Sequence, residues 1–145
     1  MSYVKIWIHA VWGTKHRQPV LQPPILAQLC AHIRENAKSN DICIDRINGH
    51  HDHIHVLMLL KSEYGISKQI QLLKGESAFW ANKMKLVRGN FEWADKYFAA
   101  SVSESRIRFV RRYIDNQQTH HAKRKFQEEF DAFARGIGYD GGDLE

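Results

Sequence analysis

The chain has 145 residues, a formal net charge of +5 and 43% hydrophobic residues, which excludes a globally disordered polymer and leaves no room for a second large catalytic domain. Of 21 Lys+Arg and 16 Asp+Glu, residues 128–145 hold six acids (Glu128, Glu129, Asp131, Asp140, Asp143, Glu145) and one base, Arg135, so residues 1–127 carry 20 bases against 10 acids, an excess that suits a polyanion such as nucleic acid. Two cysteines exclude a disulfide framework, and the absence of both a spanning apolar run and a signal-peptide pattern points to a cytoplasmic protein with no membrane partner.

Residues 3–12 mix β-branched and aromatic side chains and read as a first strand. Gly13 to Pro19 follows as a basic loop. Pro23 and Pro24 suit a helix start, and Ile25, Leu29, Ile33 and Ala37 then recur every fourth residue. Asp41–Asn48 alternates as a second strand, His50-His51-Asp52 makes a turn or strand edge, and His53–Leu60 is apolar enough for a central third strand in hairpin with the second. Ile66 to about Leu86 has helical period through Ile70, Leu73, Ser77 and Trp80/Ala81. A fourth strand is expected around Tyr97–Val102, a helix from about Glu104 to Gln118, and another over 121–134 with Phe126, Phe130 and Phe133/Ala134 on one face.

The order β-α-β-β-α-β-α-α predicts an α+β two-layer sandwich, a ferredoxin-like split βαβ antiparallel sheet with helices on one face and a C-terminal helical addition. Residues 1–135 are expected to form one domain. The glycines 136, 138, 141 and 142 mark 136–145 as a flexible tail.

Nine histidines are present, four of them within residues 50–55. His53 and His55 lie two apart in a strand, so both imidazoles project from one face. That spacing alone leaves open half of a divalent-metal site, acid–base chemistry or a solvated strand face. His50 and His51 could add a ligand, contact phosphate or lie on the surface. In the basic stretch Arg106–Gln118, Tyr113 and Gln117 are neighbours one helical turn apart. Gln117 offers a carbonyl oxygen acceptable to Mg²⁺ or Mn²⁺, and Tyr113 offers a phenol that is a weak nucleophile at its free pKa of ~10. Packing at a helix–sheet boundary is the alternative for Tyr113.

Several segments taken together resemble the small single-tyrosine HUH transposases of the bacterial IS200/IS605 type, over almost the whole chain. They are Val11-Trp12-Gly13-Thr14-Lys15-His16-Arg17-Gln18-Pro19, Asp52-His53-Ile54-His55-Val56-Leu57, Leu73-Lys74-Gly75-Glu76-Ser77, Tyr97-Phe98-Ala99-Ala100-Ser101-Val102 and Tyr113-Ile114-Asp115-Asn116-Gln117. The resemblance implies that His53, His55 and Gln117 ligate Mg²⁺ or Mn²⁺ and that Tyr113, on a C-terminal catalytic helix, is the nucleophile. It further implies cleavage and rejoining of single-stranded DNA at element ends through a 5′-phosphotyrosine. Subterminal hairpins would be the recognised DNA, in a bacterial or archaeal cytoplasm and on the nucleoid when bound. A homodimer is implied, in which Tyr113 can serve the partner's histidine pair.

Gly49-His50-His51 stands where relatives often carry a ligand-capable residue, which makes His50 a metal-adjacent candidate. Lys96 stands where relatives often have glycine. Lys15, Arg17, Lys74, Arg111 and Arg112 are candidate DNA contacts. Two other expectations compete: a non-catalytic single-strand-binding ferredoxin-like module that stacks bases on Tyr3, Trp7 or Trp12, and a domesticated relative acting on host repeat hairpins.

Overall fold

The computed structural model describes residues 2–118 and 126–135. The tail expected at 136–145 and the start of the helix expected over 121–134 lie outside the described residues. The elements run β1 (Trp7–Gly13), α1 (Pro23–Ser39), β2 (Ile44–His50), β3 (His53–Leu59), α2 (Ile66–Lys83), β4 (Phe98–Val102), α3 (Ile107–Asp115) and α4 (Phe126–Ala134). Short 3₁₀ turns at Lys15–Arg17 and Glu104–Arg106 precede α1 and α3.

The four strands form one antiparallel sheet in the order β2-β3-β1-β4. This is the expected split βαβ arrangement, with β1 and β3 central. Apart from His9, His53 and His55, both central strands are built from apolar residues, because both of their faces are covered. β1 is buried throughout and β3 at all but its last residue.

Strand alternation divides the sheet into two faces. Ile8, Ala10, Trp12, Ile54, Val56 and Met58 point to one side and pack with Leu26, Leu29, Ile33 and Ala37 of α1 and Ile70, Leu73 and Ala81 of α2. Trp7, His9, Val11, His53, His55 and Leu57 have the opposite parity. Above them sit Ile107, Val110, Tyr113 and Ile114 of α3 and Phe133 of α4. The helices expected on one face are thus α1 and α2, and the C-terminal helices add a layer on the other.

A register irregularity between Ile44 and Arg46 lets Ile44 and Ile47, an odd number of residues apart, both face the α1/α2 core. The same bulge frees Asp45 to reach α3. Asp45 accepts two bonds from Arg111, Nε to Oδ1 at 2.7 Å and a terminal nitrogen to Oδ2 at 2.8 Å. Asn48 adds a bond from Nδ2 to the carbonyl of Ile114 at 2.9 Å. These contacts set the height of α3 over the sheet and therefore the place of Tyr113.

The Arg111 guanidinium beside Asp45 holds its carboxyl below the usual carboxylate range, despite the opposing effect of partial burial. A depressed folded pKa means stability that is present above the unfolded value, ~3.9, and is lost as pH falls through the folded value. Arg111 is 37% exposed, so solvent screening limits the coupling to about 0.5–1 kcal/mol. A double-mutant cycle of Asp45→Asn and Arg111→Met, followed by urea unfolding, should give that coupling at pH 7 and almost none near pH 2. A coupling unchanged in acid would contradict the pairing.

Candidate active site

β3 begins at His53, and its alternation sends His53 and His55 toward α3 and α4, both fully buried. On α3, Tyr113 shares a helical face with Val110, Ile114 and Ile107, and that face lies on the sheet. The helix ends at Asp115, and Asn116 turns the chain so that Gln117 also enters the interior. On α4, Glu129 and Phe133 are one turn apart and both buried. Three separate elements therefore converge on the His53/His55 pair.

The Glu129 carboxylate is the centre of the cluster. Its Oε1 lies 2.9 Å from His55 Nε2 and 3.3 Å from His53 Nε2, and its Oε2 accepts a hydrogen bond from the Tyr113 hydroxyl. Gln117 Oε1 lies 3.3 Å from His53 Nε2, while Gln117 Nε2 donates to the Tyr113 carbonyl at 3.2 Å. His53 Nδ1 meets Asp52 Oδ1 at 2.9 Å. His55 Nδ1 meets Nε2 of His9 at 3.0 Å, and the two rings are stacked. Each imidazole is thus held from behind through Nδ1, with Nε2 turned to the same carboxylate oxygen.

Electrostatics follow from burial and these partners. Burial works against charge on His53, but the bonds to Asp52 and Glu129 outweigh it and raise its pKa. Burial pushes His9 well below the ordinary histidine value, with His55 adding to the effect. Burial thus favours the neutral form of His9, whose Nε2 can accept a hydrogen bond from His55 Nδ1 when His55 Nε2 is used as a ligand.

Among the described residues His53, His55 and Glu129 offer one ligand atom each within 4.8 Å of one another, a set able to hold a divalent metal. Two imidazoles with carboxylate and amide oxygens match the preferences of Mn²⁺ and, more weakly, of Mg²⁺. Cys30 is unsuited to nucleophilic work, since burial pushes its thiol up to about 12.

Tyr113, His53, His55 and Gln117, singled out in the sequence, are brought together here. His50 stands opposite His53 across the β2–β3 ladder and stacks on His51, ring centroids 4.1 Å apart; it is not among the three mutually close donors. The candidate DNA contacts have protein partners of their own. Lys15 pairs with Glu92 at 2.8 Å, and Arg17 donates to Gln127. Arg111 serves Asp45. Lys74 donates to the carbonyl of Ala94 at 2.6 Å, and burial lowers its pKa. Arg112 lies near the ring of Phe109. Of the candidate stacking aromatics, Trp7 and Trp12 are buried, and Tyr3 is exposed.

Sequence reasoning missed Glu129 and His9. Glu129 was counted with the acidic C-terminal stretch, although it falls one turn from Phe126 and Phe133, on the apolar stripe of its own helix. An acid on an apolar stripe is the signal that could have found it. His9 shares parity with Trp7 and Val11 in a strand that is buried on both sides.

The family described as Transposase IS200 like matches residues 2–117. The ISDra2 transposase TnpA of Deinococcus radiodurans is 29% identical over 115 residues, covering 75% of this chain and 81% of that one. A solved structure of a candidate transposase from Deinococcus radiodurans R1 aligns with TM-score 0.62 and 28% identity, over 81% of this chain and 95% of that one. The fold is also similar to that of a REP-associated tyrosine transposase bound to a REP hairpin, with TM-score 0.64 and 16% identity, over all of this chain and 91% of the other.

The donor geometry makes a quantitative demand. Mn²⁺ titrated into the protein should bind with an affinity that His53→Ala, His55→Ala and Glu129→Ala each remove. His9→Ala, which takes away only the support behind His55, should weaken it about 10–100-fold. Calorimetry checks this, and undiminished binding to His53→Ala would contradict the assignment of donors.

Proposed function

The chain belongs to the IS200-like transposase family, and on that premise we propose that it cleaves and rejoins single-stranded DNA through a 5′-phosphotyrosine intermediate on Tyr113. The observation that carries this reading is the sharing of one buried carboxylate, Glu129, between the Tyr113 hydroxyl and both histidines. A phenol at rest is a weak nucleophile, and here its proton is already directed at Glu129 Oε2.

In the proposed reaction the Tyr113 oxygen attacks phosphorus, the phenolic proton passes to Glu129, and the bond to the 3′-oxygen breaks. The 3′-oxygen leaves as a hydroxyl after taking a proton from solvent. Attack by a 3′-hydroxyl on the phosphotyrosine reverses these steps and rejoins DNA with no external energy source. A bound Mg²⁺ or Mn²⁺, for which His53, His55 and Glu129 are the donors with the Gln117 carbonyl oxygen beside them, supplies Lewis-acid polarisation of the phosphate. Asp52 and His9 keep both imidazoles oriented throughout.

Hairpin-bearing single-stranded DNA of element ends is the proposed substrate, and a homodimer the proposed working form, in the cytoplasm and on the nucleoid when bound. No helix among the described residues is long and apolar enough to cross a membrane. In this arrangement Tyr113 meets the histidine pair of its own chain, which supports action in cis. Service to a partner's pair would need α3 to move. Because Tyr113 and both histidines are buried, a phosphodiester reaches them only after α3 or α4 shifts. The non-catalytic alternative has less support, since both sheet faces are covered by helices and Trp7 and Trp12 are buried in them.

Incubation with hairpin-bearing single-stranded DNA and Mn²⁺ should give a covalent protein–DNA adduct that survives denaturing electrophoresis. Tyr113→Phe should abolish the adduct, and His53→Ala should reduce it by at least ~10²-fold, as expected when electrostatic support of a transition state is removed. An adduct of undiminished yield in Tyr113→Phe would overturn the proposal.

A further inference from the structure

Beside the buried cluster, a cleft of about 380 Å³ opens between the turn after β1 and α4. Its walls include Thr14, His16 and Arg17 from the turn, Lys96 from the segment before β4, and Gln127 and Phe130 from α4. Two of these side chains are basic, a third is histidine, and among the described residues no carboxylate lines the cleft. Glu92, which also touches the turn, is engaged by Lys15 at 2.8 Å. The volume suits one nucleotide, at the lower end of the range for small-molecule sites.

The turn is built with strain. His16 and Arg17 are successive non-glycine residues at φ 57° and 52°, a left-handed conformation that costs roughly 1–2 kcal/mol per residue. It is held by bonds on both flanks: Thr14 N to the carbonyl of Asp52 at 2.8 Å, Lys15 N to that of Glu92 at 3.0 Å, and Thr14 Oγ1 to that of Gln18 at 2.9 Å. Such strain persists only where surrounding structure over-determines it. Its effect here is to line the cleft with both His16 and Arg17. Phe130 is half-buried, with its ring edge-on to Phe98 at 6.5 Å, and contributes an aromatic surface to the opposite wall.

The cleft also adjoins the candidate active site along two chain segments. Gly13, on its wall, pairs directly with His53, and Phe130 follows Glu129. Arg17 donates to the neutral amide of Gln127, a bond weaker than the bidentate ion pair a phosphate would offer.

The geometry points to this cleft as a subsite for one nucleotide of single-stranded DNA next to the scissile phosphate. Arg17 and Lys96 hold its phosphate, and Phe130 stacks on its base. The assignment rests on the single-strand DNA reading above, and it goes further by placing the flanking strand against α4, a helix beyond the family match at residues 2–117.

The test is metal-free binding by the full chain, which separates it from cleavage: loss of adduct formation would undo the catalytic reading and leave this measurement intact. The probe is fluorescein-labelled oligothymidylate, alone and with a single 2-aminopurine at successive positions. Arg17→Ala/Lys96→Ala should weaken binding at least about 10-fold and lower the slope of log K against log salt by about 0.7–1.4, the loss of one to two phosphate contacts on a single strand. Arg17→Lys/Lys96→Arg should restore most of the affinity, which a folding defect would not allow. Phe130→Leu should relieve 2-aminopurine quenching at one position and leave the salt slope unchanged. An unaltered affinity and slope in the double alanine variant would overturn the subsite. Quenching that is unaltered at every position in Phe130→Leu would also overturn it, in favour of a plain backbone track.

Discussion

A carboxylate with no exposed surface must be paired, because an isolated charge in a protein interior costs far more than a domain's net stability allows. Glu129 meets that condition by taking a hydroxyl and two imidazoles as partners, and each partner belongs to a different structural commitment. The histidines come from the alternation of β3, the tyrosine from the buried face of α3, and the acid from α4. Removing one side of such a buried arrangement typically costs about 3–5 kcal/mol, so the cluster fixes α3 and α4 over the sheet as well as assembling the chemistry.

The supports around the cluster are graded. Asp52 and His9 each touch an Nδ1 and fix ring orientation, so both Nε2 atoms face one oxygen. Further out, Arg111 and Asp45 tie α3 to β2 through the bulge that also lets Ile44 and Ile47 enter the opposite core. Arg111, read in sequence as one more basic residue for DNA, is thereby a tether of the tyrosine helix. The same reassignment applies to Lys74, whose ammonium binds backbone carbonyls at the entry to β4.

The charge asymmetry of the sequence acquires a different meaning in three dimensions. The six acids after residue 127 read as one acidic stretch, yet Glu129 faces the histidines and is completely buried. Conversely, the described basic residues differ in what holds them. Lys15 is paired with an acid, and Arg17 and Lys96 line the cleft beside the cluster. Net charge measures the long-range attraction to a polyanion but says nothing about which cations meet it.

Periodicity and turn chemistry suffice to read the order of elements, the split βαβ plan and the hairpin that carries His53 and His55, because these depend on residues close together in the chain. They also place Tyr113 and Gln117 one turn apart, and the resemblance to a family supplies their roles. What the sequence left open was the distant pairing. Nothing local says that the face bearing His9, His53 and His55 is covered by α3 and α4 while α1 and α2 take the other. Nor does anything local send Glu129, 74 positions beyond His55, to within hydrogen-bond reach of it. That contact is decided by how two amphipathic helices settle on a twisted sheet, and only the tertiary structure contains that information.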